Sequence, residues 1–199
     1  MRLLARLPYD TIFSTVYFGL RLNLCLVVAG LPLLVALALT DAPLRAWPFF
    51  TALSAICGPA VAAAFATFEG EGFWAAYRAS FWRALGVAGA AAVVVIVLAV
   101  DFQLALGGPF GAVTPMLALL MALVVVVAIA CLVTRAVPRP RVLLAYAYLS
   151  IRKWYLSAAN LAVLGVLAVA IVGRPAVGLF LLPAPVLYVV WANTRHITA

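Results

Sequence analysis

The stretch FGAVTPMLALLMALVVVVAIACLVT, Phe110–Thr134, contains no charged residue and stops against Arg135. A helix that crosses the hydrocarbon core of a bilayer needs about 20 predominantly apolar residues, whereas a buried helix of a soluble domain gets by with about 10–14. This run therefore predicts a transmembrane helix. Working outward from it, further uncharged runs occur at Leu22–Thr40, Ala46–Phe68, Ala84–Val100, Trp154–Gly173 and Pro175–Thr194. The third is short before Asp101 and is extended to about residue 106. The last two are separated by Gly173-Arg174-Pro175, a helix stop followed by a helix start, which reads as a tight helical hairpin. The expectation is an all-α polytopic membrane bundle of six transmembrane helices (about 22–40, 46–68, 84–106, 110–134, 154–173 and 175–194), forming one domain over residues 1–199.

Composition excludes the alternatives. Of the 199 residues 69% are hydrophobic and 9% are charged, with a mean hydropathy of +1.25. A soluble domain has about 45–50% apolar and about 25% charged residues, so this chain cannot cover itself with polar surface. Disorder needs the opposite balance. Cys25, Cys57 and Cys131 lie in apolar runs without C-x-x-C spacing and read as small buried residues. The single histidine, His196, lies beside the C-terminus, so no metal site is expected. The first apolar run is too long for a signal peptide and lacks a cleavage site, so a retained N-terminus is expected.

Basic residues set the expected orientation, because cytoplasmic loops carry the excess of arginine and lysine. With the N-terminus inside, the cytoplasmic segments hold Arg2, Arg6, Arg78, Arg83, Arg135, Arg139, Arg141, Arg152, Lys153 and Arg195; the outer loops hold only Arg45 and Arg174. Arg21 snorkels from the inner end of span one. The bias requires both ends in the cytosol and an even number of spans. The net charge of +8 is thus topological, and no folded basic face exists for nucleic acid.

A quasi-repeat runs beneath the spans. EGFWAAYRASFWRAL (Glu71–Leu85) sets Phe73, Trp74, Tyr77 and Phe81 on one helical face, with Arg78 and Arg83 off it. Shifted by 70 positions, RVLLAYAYLSIRKWY (Arg141–Tyr155) places Leu143, Leu144, Ala147 and Ile151 on that face and Lys153 in place of Arg83. Pro8–Arg21 is a looser version, with Ile12, Phe13, Val16, Tyr17 and Leu20 as its stripe. Amphipathic interfacial helices are therefore expected before spans 1, 3 and 5, in three units of leader, outward helix and return helix. Two readings of the basic leader residues Arg78, Arg83, Arg139, Arg141, Arg152 and Lys153 stand: a cytoplasmic docking or gating surface, or anchors to anionic lipid.

Polar groups within spans are functional suspects because they are costly there. No Asp or Glu falls at mid-depth, which argues against a proton-coupled carrier. An inner-leaflet set remains: Arg21, Asn23, Asn160, Asn193 and Arg195. It is either interhelical packing or a polar pocket open to the cytosol. Pro32, Pro59, Pro183 and Pro185 are expected to kink spans one, two and six, either enclosing a cavity or letting small residues such as Gly58, Ala60 and Ala62–Ala64 pack closely. There is no G-x-S-x-G, Walker A or H-E-x-x-H motif and no acidic pair, so neither enzymatic activity nor a cofactor is expected.

RLNLCLVVAGLP (Arg21–Pro32), WPFFTALSAICGPAVAAAFATF (Trp47–Phe68), FWRAL (Phe81–Leu85), SIRKWYL (Ser150–Leu156) and PVLYVVWANTR (Pro185–Arg195) resemble the YesL-like family of bacterial membrane proteins, its actinobacterial branch in particular. The resemblance covers nearly the whole chain. It implies a multi-pass plasma-membrane protein associated with carbohydrate uptake and transfers no activity. The expected role is an accessory or assembly subunit that binds a membrane partner, such as an importer subunit. A small, self-associating transporter or channel with a pathway between kinked helices is the alternative.

Overall fold

The computed structural model describes residues 9–108 and 110–198, so Arg2, Arg6 and Pro8 lie outside the described residues. It is all-helical, without a strand among those residues. Helix α1 spans Tyr9–Ala29 and α2 spans Leu31–Ala38; α3 is Trp47–Ser54 and α4 is Gly58–Phe68. After a turn come α5 (Phe73–Leu106), α6 (Thr114–Thr134), α7 (Pro140–Arg152), α8 (Trp154–Gly173), α9 (Pro175–Phe180) and α10 (Pro183–Thr198). Among the described residues four helical segments are long and apolar enough to cross a membrane: Trp47–Phe68, Phe73–Leu106, Gly111–Thr134 and Trp154–Gly173. The pair α1–α2 makes a fifth if counted as one broken span, bent by 62°.

The interruptions of the first two apolar runs each follow from a proline. Pro32 has no N–H for Val28, so α1 stops at Ala29 and the chain turns at Gly30. Pro59 likewise leaves Ala55 without its normal partner. The Gly58 N–H takes that carbonyl instead, tightening Ala55–Cys57 into a 3₁₀ turn between α3 and α4. The sixth expected span is the largest departure. Pro183 and Pro185 do not kink a continuous helix; they sit in the first turn of α10, where proline is tolerated, and the helix breaks ahead of them at Leu181–Leu182. Neither piece, with 6 and 16 residues, reaches spanning length alone.

The leaders also differ from expectation. Only the one before span five is a separate helix, α7. The leader of span three is continuous with it in α5, whose 34 residues extend about 51 Å at 1.5 Å per residue. That exceeds the roughly 30 Å hydrocarbon core. The leader of span one is likewise continuous within α1. Where Lys153-Trp154 separates α7 from α8, the matching Arg83-Ala84 are good helix formers and Ala84 is fully buried against α4.

The helices pack in two layers with a pseudo-threefold plan. The return helices α4, α6 and α10 touch one another and form the centre. Each outward helix lies against two of them: α5 on α4 and α6, α8 on α6 and α10, α1 on α10 and α4. Burial follows this order. Only 11% of the apolar window is buried in α5 and in α8, against 50% in α3–α4 and 39% in α6. The outer helices display exposed Val93, Val97, Leu104, Val166, Val169 and Val172, an apolar exterior that a lipid solvent would cover.

Small side chains set the closest approach. A Cβ on Gly58 would stand 2.5 Å from the Ala88 Cβ, so α4 and α5 meet backbone to backbone. Ala60 and Ala62–Ala64 are buried in the central layer with Phe65, Cys131, Leu187 and Val190. Pro59 lies buried beside these small residues. At the other end of α8, Gly178 of α9 lies so near the Ile171 backbone that a Cβ would come within 2.5 Å of its Cα.

Candidate functional site

Four of the five residues of the inner-leaflet polar set fall in three places, and the fifth, Arg21, in none of them. Asn160 of α8, with no exposed surface, donates to the Thr194 hydroxyl of α10 at 3.2 Å and accepts from the Asn193 side chain at 3.0 Å. This group ties α8 to α10. Thr194 belongs to it and was missed in the sequence, where a threonine near a span end carries no signal of its own. Asn23 stands apart, buried on α1. Its amide donates to the Phe180 carbonyl at 2.8 Å, while its carbonyl accepts the Ala184 N–H at 2.7 Å. Those backbone groups would bond to each other in an unbroken helix, so the carboxamide is inserted into the gap between α9 and α10. Arg21 is exposed, and Arg195 belongs to the third place, the end of the bundle.

There α4, α6 and α10 all terminate, and each leaves C-terminal carbonyls without helical partners. Helix α4 is closed by its own backbone. Gly70, at φ +96°, lets the Glu71 N–H reach the Ala66 carbonyl and the Gly70 N–H reach that of Thr67, a Schellman closure. Helix α6 is closed from outside: Arg83 Nη1 donates to the carbonyls of Cys131 at 3.2 Å and Ala136 at 3.4 Å. Helix α10 is closed the same way, by Lys153 Nζ donating to the His196 carbonyl. The two residues matched by the 70-position repeat thus do the same work, each placing a cation on the negative end of the return helix in its own unit. Both turn inward, away from the surface at which they were expected with the other leader residues.

Around this end runs a chain of ion pairs. Arg135, held at φ +54°, binds Glu71 at 2.7 Å and lies 3.6 Å from Glu69, which in turn is 3.7 Å from Arg195. The Arg195 guanidinium is stacked over Trp191, 5.3 Å from the ring centre. A cavity of about 400 Å³ opens among Glu69, Val133, Thr134, Arg135, Arg195 and Thr198. Glu69, Glu71 and Arg135 lie in the turns that follow α4 and α6, and nothing in their sequence spacing shows that they gather beside Arg195. A neighbouring recess of about 120 Å³ contains Glu71, Ser80, Arg83 and Arg135.

The remaining leader residues, Arg78, Arg139, Arg141 and Arg152, are exposed. On α7, Leu143 and Tyr146 pack toward the core while Leu144, Tyr148 and Ile151 face outward. The expected apolar face is therefore divided between the bundle and the surroundings. Tyr146 donates to the Thr134 hydroxyl at 2.9 Å, and Ser157 donates to the Ser150 carbonyl at 3.0 Å across the α7–α8 break. Among the described residues no three of His, Cys, Asp or Glu are grouped as metal ligands. Comparison with protein-family models, with curated proteins and with solved structures finds no match.

Proposed function

We propose that this chain is a bacterial inner-membrane protein that crosses the bilayer six times, with both ends in the cytosol, and serves as an accessory or assembly subunit for a second membrane component. Its resemblance to the YesL-like family points to carbohydrate uptake as the setting. Two contacts support the topology. Phe18 near the start of the chain packs on Phe68 at the end of α4, and Arg195 near the other end pairs with Glu69. Both ends therefore approach the same end of the bundle. The α9–α10 pair is then the sixth crossing, its break sealed by Asn23.

The observation that carries the partner-binding role is the outward face of α7. Leu144, Tyr148 and Ile151 form an exposed apolar stripe bordered by exposed Arg141 and Arg152. A photo-crosslinking residue at position 144 or 151, in native membranes, tests it. The reading predicts an adduct with one defined membrane protein that also co-purifies stoichiometrically in mild detergent. Charge reversal at Arg139, Arg141 and Arg152 should abolish the adduct with topology unchanged. Adducts with lipid alone would make α7 an anchor and remove the partner-binding role.

A second reading, a small transporter, is favoured by one feature. The interrupted helices α1–α2 and α9–α10 lie side by side through the α1–α9 contact, and broken helices are where transporters bind substrate. Self-association and solute movement in liposomes would select it.

A further inference from the structure

The cavity where α4, α6 and α10 end carries two guanidinium groups, one carboxylate and a hydroxyl with free lone pairs. Thr198 gives its proton to the Thr194 carbonyl, so its oxygen keeps lone pairs with which to accept. The Glu69 carboxylate stands 3.6 Å from Arg135 and 3.7 Å from Arg195, beyond the 2.7–2.9 Å of a charge-assisted hydrogen bond. Arg135 also holds Glu71 at 2.7 Å, which occupies one edge of its guanidinium; Arg195 is left with only the distant Glu69. The Arg195 guanidinium lies over the Trp191 ring. Arg135 is held in a left-handed backbone conformation that non-glycine residues rarely adopt; strain of this kind gathers at functional positions. The volume, about 400 Å³, is that of a small-ligand pocket.

The charges select the ligand. A simple anion would meet Glu69 and the negative ends of three helices. A simple cation would meet two guanidinium groups. A molecule carrying both charges satisfies every group. We infer that this cavity binds a small zwitterion, its oxyanion between Arg135 and Arg195 and its ammonium against Glu69 and the Thr198 hydroxyl. The same chemistry is presented by a free solute, such as an amino acid or phosphoethanolamine, and by an ethanolamine phospholipid headgroup.

The test uses the full chain in nanodiscs without ethanolamine lipid, titrated calorimetrically with phosphoethanolamine, glycine, inorganic phosphate and ethanolamine. At least one zwitterion should bind at least tenfold more tightly than phosphate or ethanolamine. Arg195→Gln should weaken it tenfold or more. Glu69→Gln should retain phosphate binding and lose the preference for the zwitterion, a change that a purely structural ion pair would not produce. If no free compound binds, but nanodiscs containing phosphatidylethanolamine raise the melting temperature of the native chain and not of Arg195→Gln, the site stands with the lipid as its source. Phosphate binding as tightly as both zwitterions, or no response in either arm, overturns the inference.

Discussion

Asn23 and Ala184, 161 positions apart in the chain, are joined by a 2.7 Å hydrogen bond from the Ala184 N–H to the Asn23 carbonyl. The other half of the same carboxamide holds the Phe180 carbonyl at 2.8 Å. One side chain on α1 thus stands in for the missing turn between α9 and α10. In an apolar interior without water, each abandoned backbone group would be costly.

Replacing Asn23 therefore tests the seal. Asn23→Leu leaves one N–H and one carbonyl unpaired, at about 1–3 kcal/mol each, more than the roughly 0.6 kcal/mol of an average interhelical bond in membranes. The expected outcome is a clear fall in melting temperature, followed by tryptophan fluorescence in detergent. In a Pro183→Ala, Pro185→Ala background the helix can close its own bonds, and the same substitution should cost distinctly less. An equal loss in both backgrounds would mean that Asn23 acts by packing alone.

The external caps give a second prediction. Arg83→Met removes the donor to the Cys131 carbonyl of α6 and to the Ala136 carbonyl just beyond it and should destabilise by about 1.5–3 kcal/mol, the range for a hydrogen bond to a charged group. Arg83→Lys should recover part of it. Lys153→Met should cost less, because its bond is at an exposed position. The ordering can be read from melting temperatures of the three variants.

At the end of α6, Arg135 combines a strained backbone with partly exposed ion pairs. Arg135→Gly relieves the strain, and the lost pairs were worth about 0–1 kcal/mol each, so stability should change little. Arg135→Ala loses the pairs and keeps the strain, and it should melt below the glycine variant. The reverse order would show that the backbone is relaxed.

Close packing of α4 on α5 predicts that Gly58→Ala is harmful despite its small size. The added methyl would sit 2.5 Å from the Ala88 Cβ, and overpacking costs typically about 1–3 kcal/mol. Adding Ala88→Gly should restore much of the loss. Failure of the double variant to recover would place the conflict with the Ala84 carbonyl, 3.0 Å from the same Cβ.

Much of this fold was legible because lipid imposes simple rules. Uncharged run lengths located α3–α4 and α8 to within a residue, with α8 matching Trp154–Gly173 at both ends, and they located the end of α6 at Thr134, though that helix starts four residues into its run at Thr114. The 70-position repeat paired Arg83 with Lys153, and the fold gives that pairing a shared task. Hydropathy says nothing, however, about where an apolar run is divided. The break at Leu181–Leu182 depends on Asn23, a partner far away in sequence. Continuity of α1 and α5 through their leaders was hidden for the related reason that amphipathic periodicity continues smoothly into a span. The charged end of the bundle was invisible because Glu69, Arg135 and Arg195 become neighbours only when three helices stop at one level.

The central claim is that α4, α6 and α10 all end on the cytosolic side. Single cysteines introduced into a variant with Cys25, Cys57 and Cys131 changed to alanine, probed in intact cells with a membrane-impermeant maleimide, test it most directly. Cysteines replacing Gly72, Val137 and Thr198 should be protected until the cells are permeabilised, while those replacing Asp41, Gly108 and Arg174 should react at once. Immediate labelling at position 198 with protection at 72 and 137 would contradict the account, since α10 would then end on the opposite side of the membrane from α4 and α6.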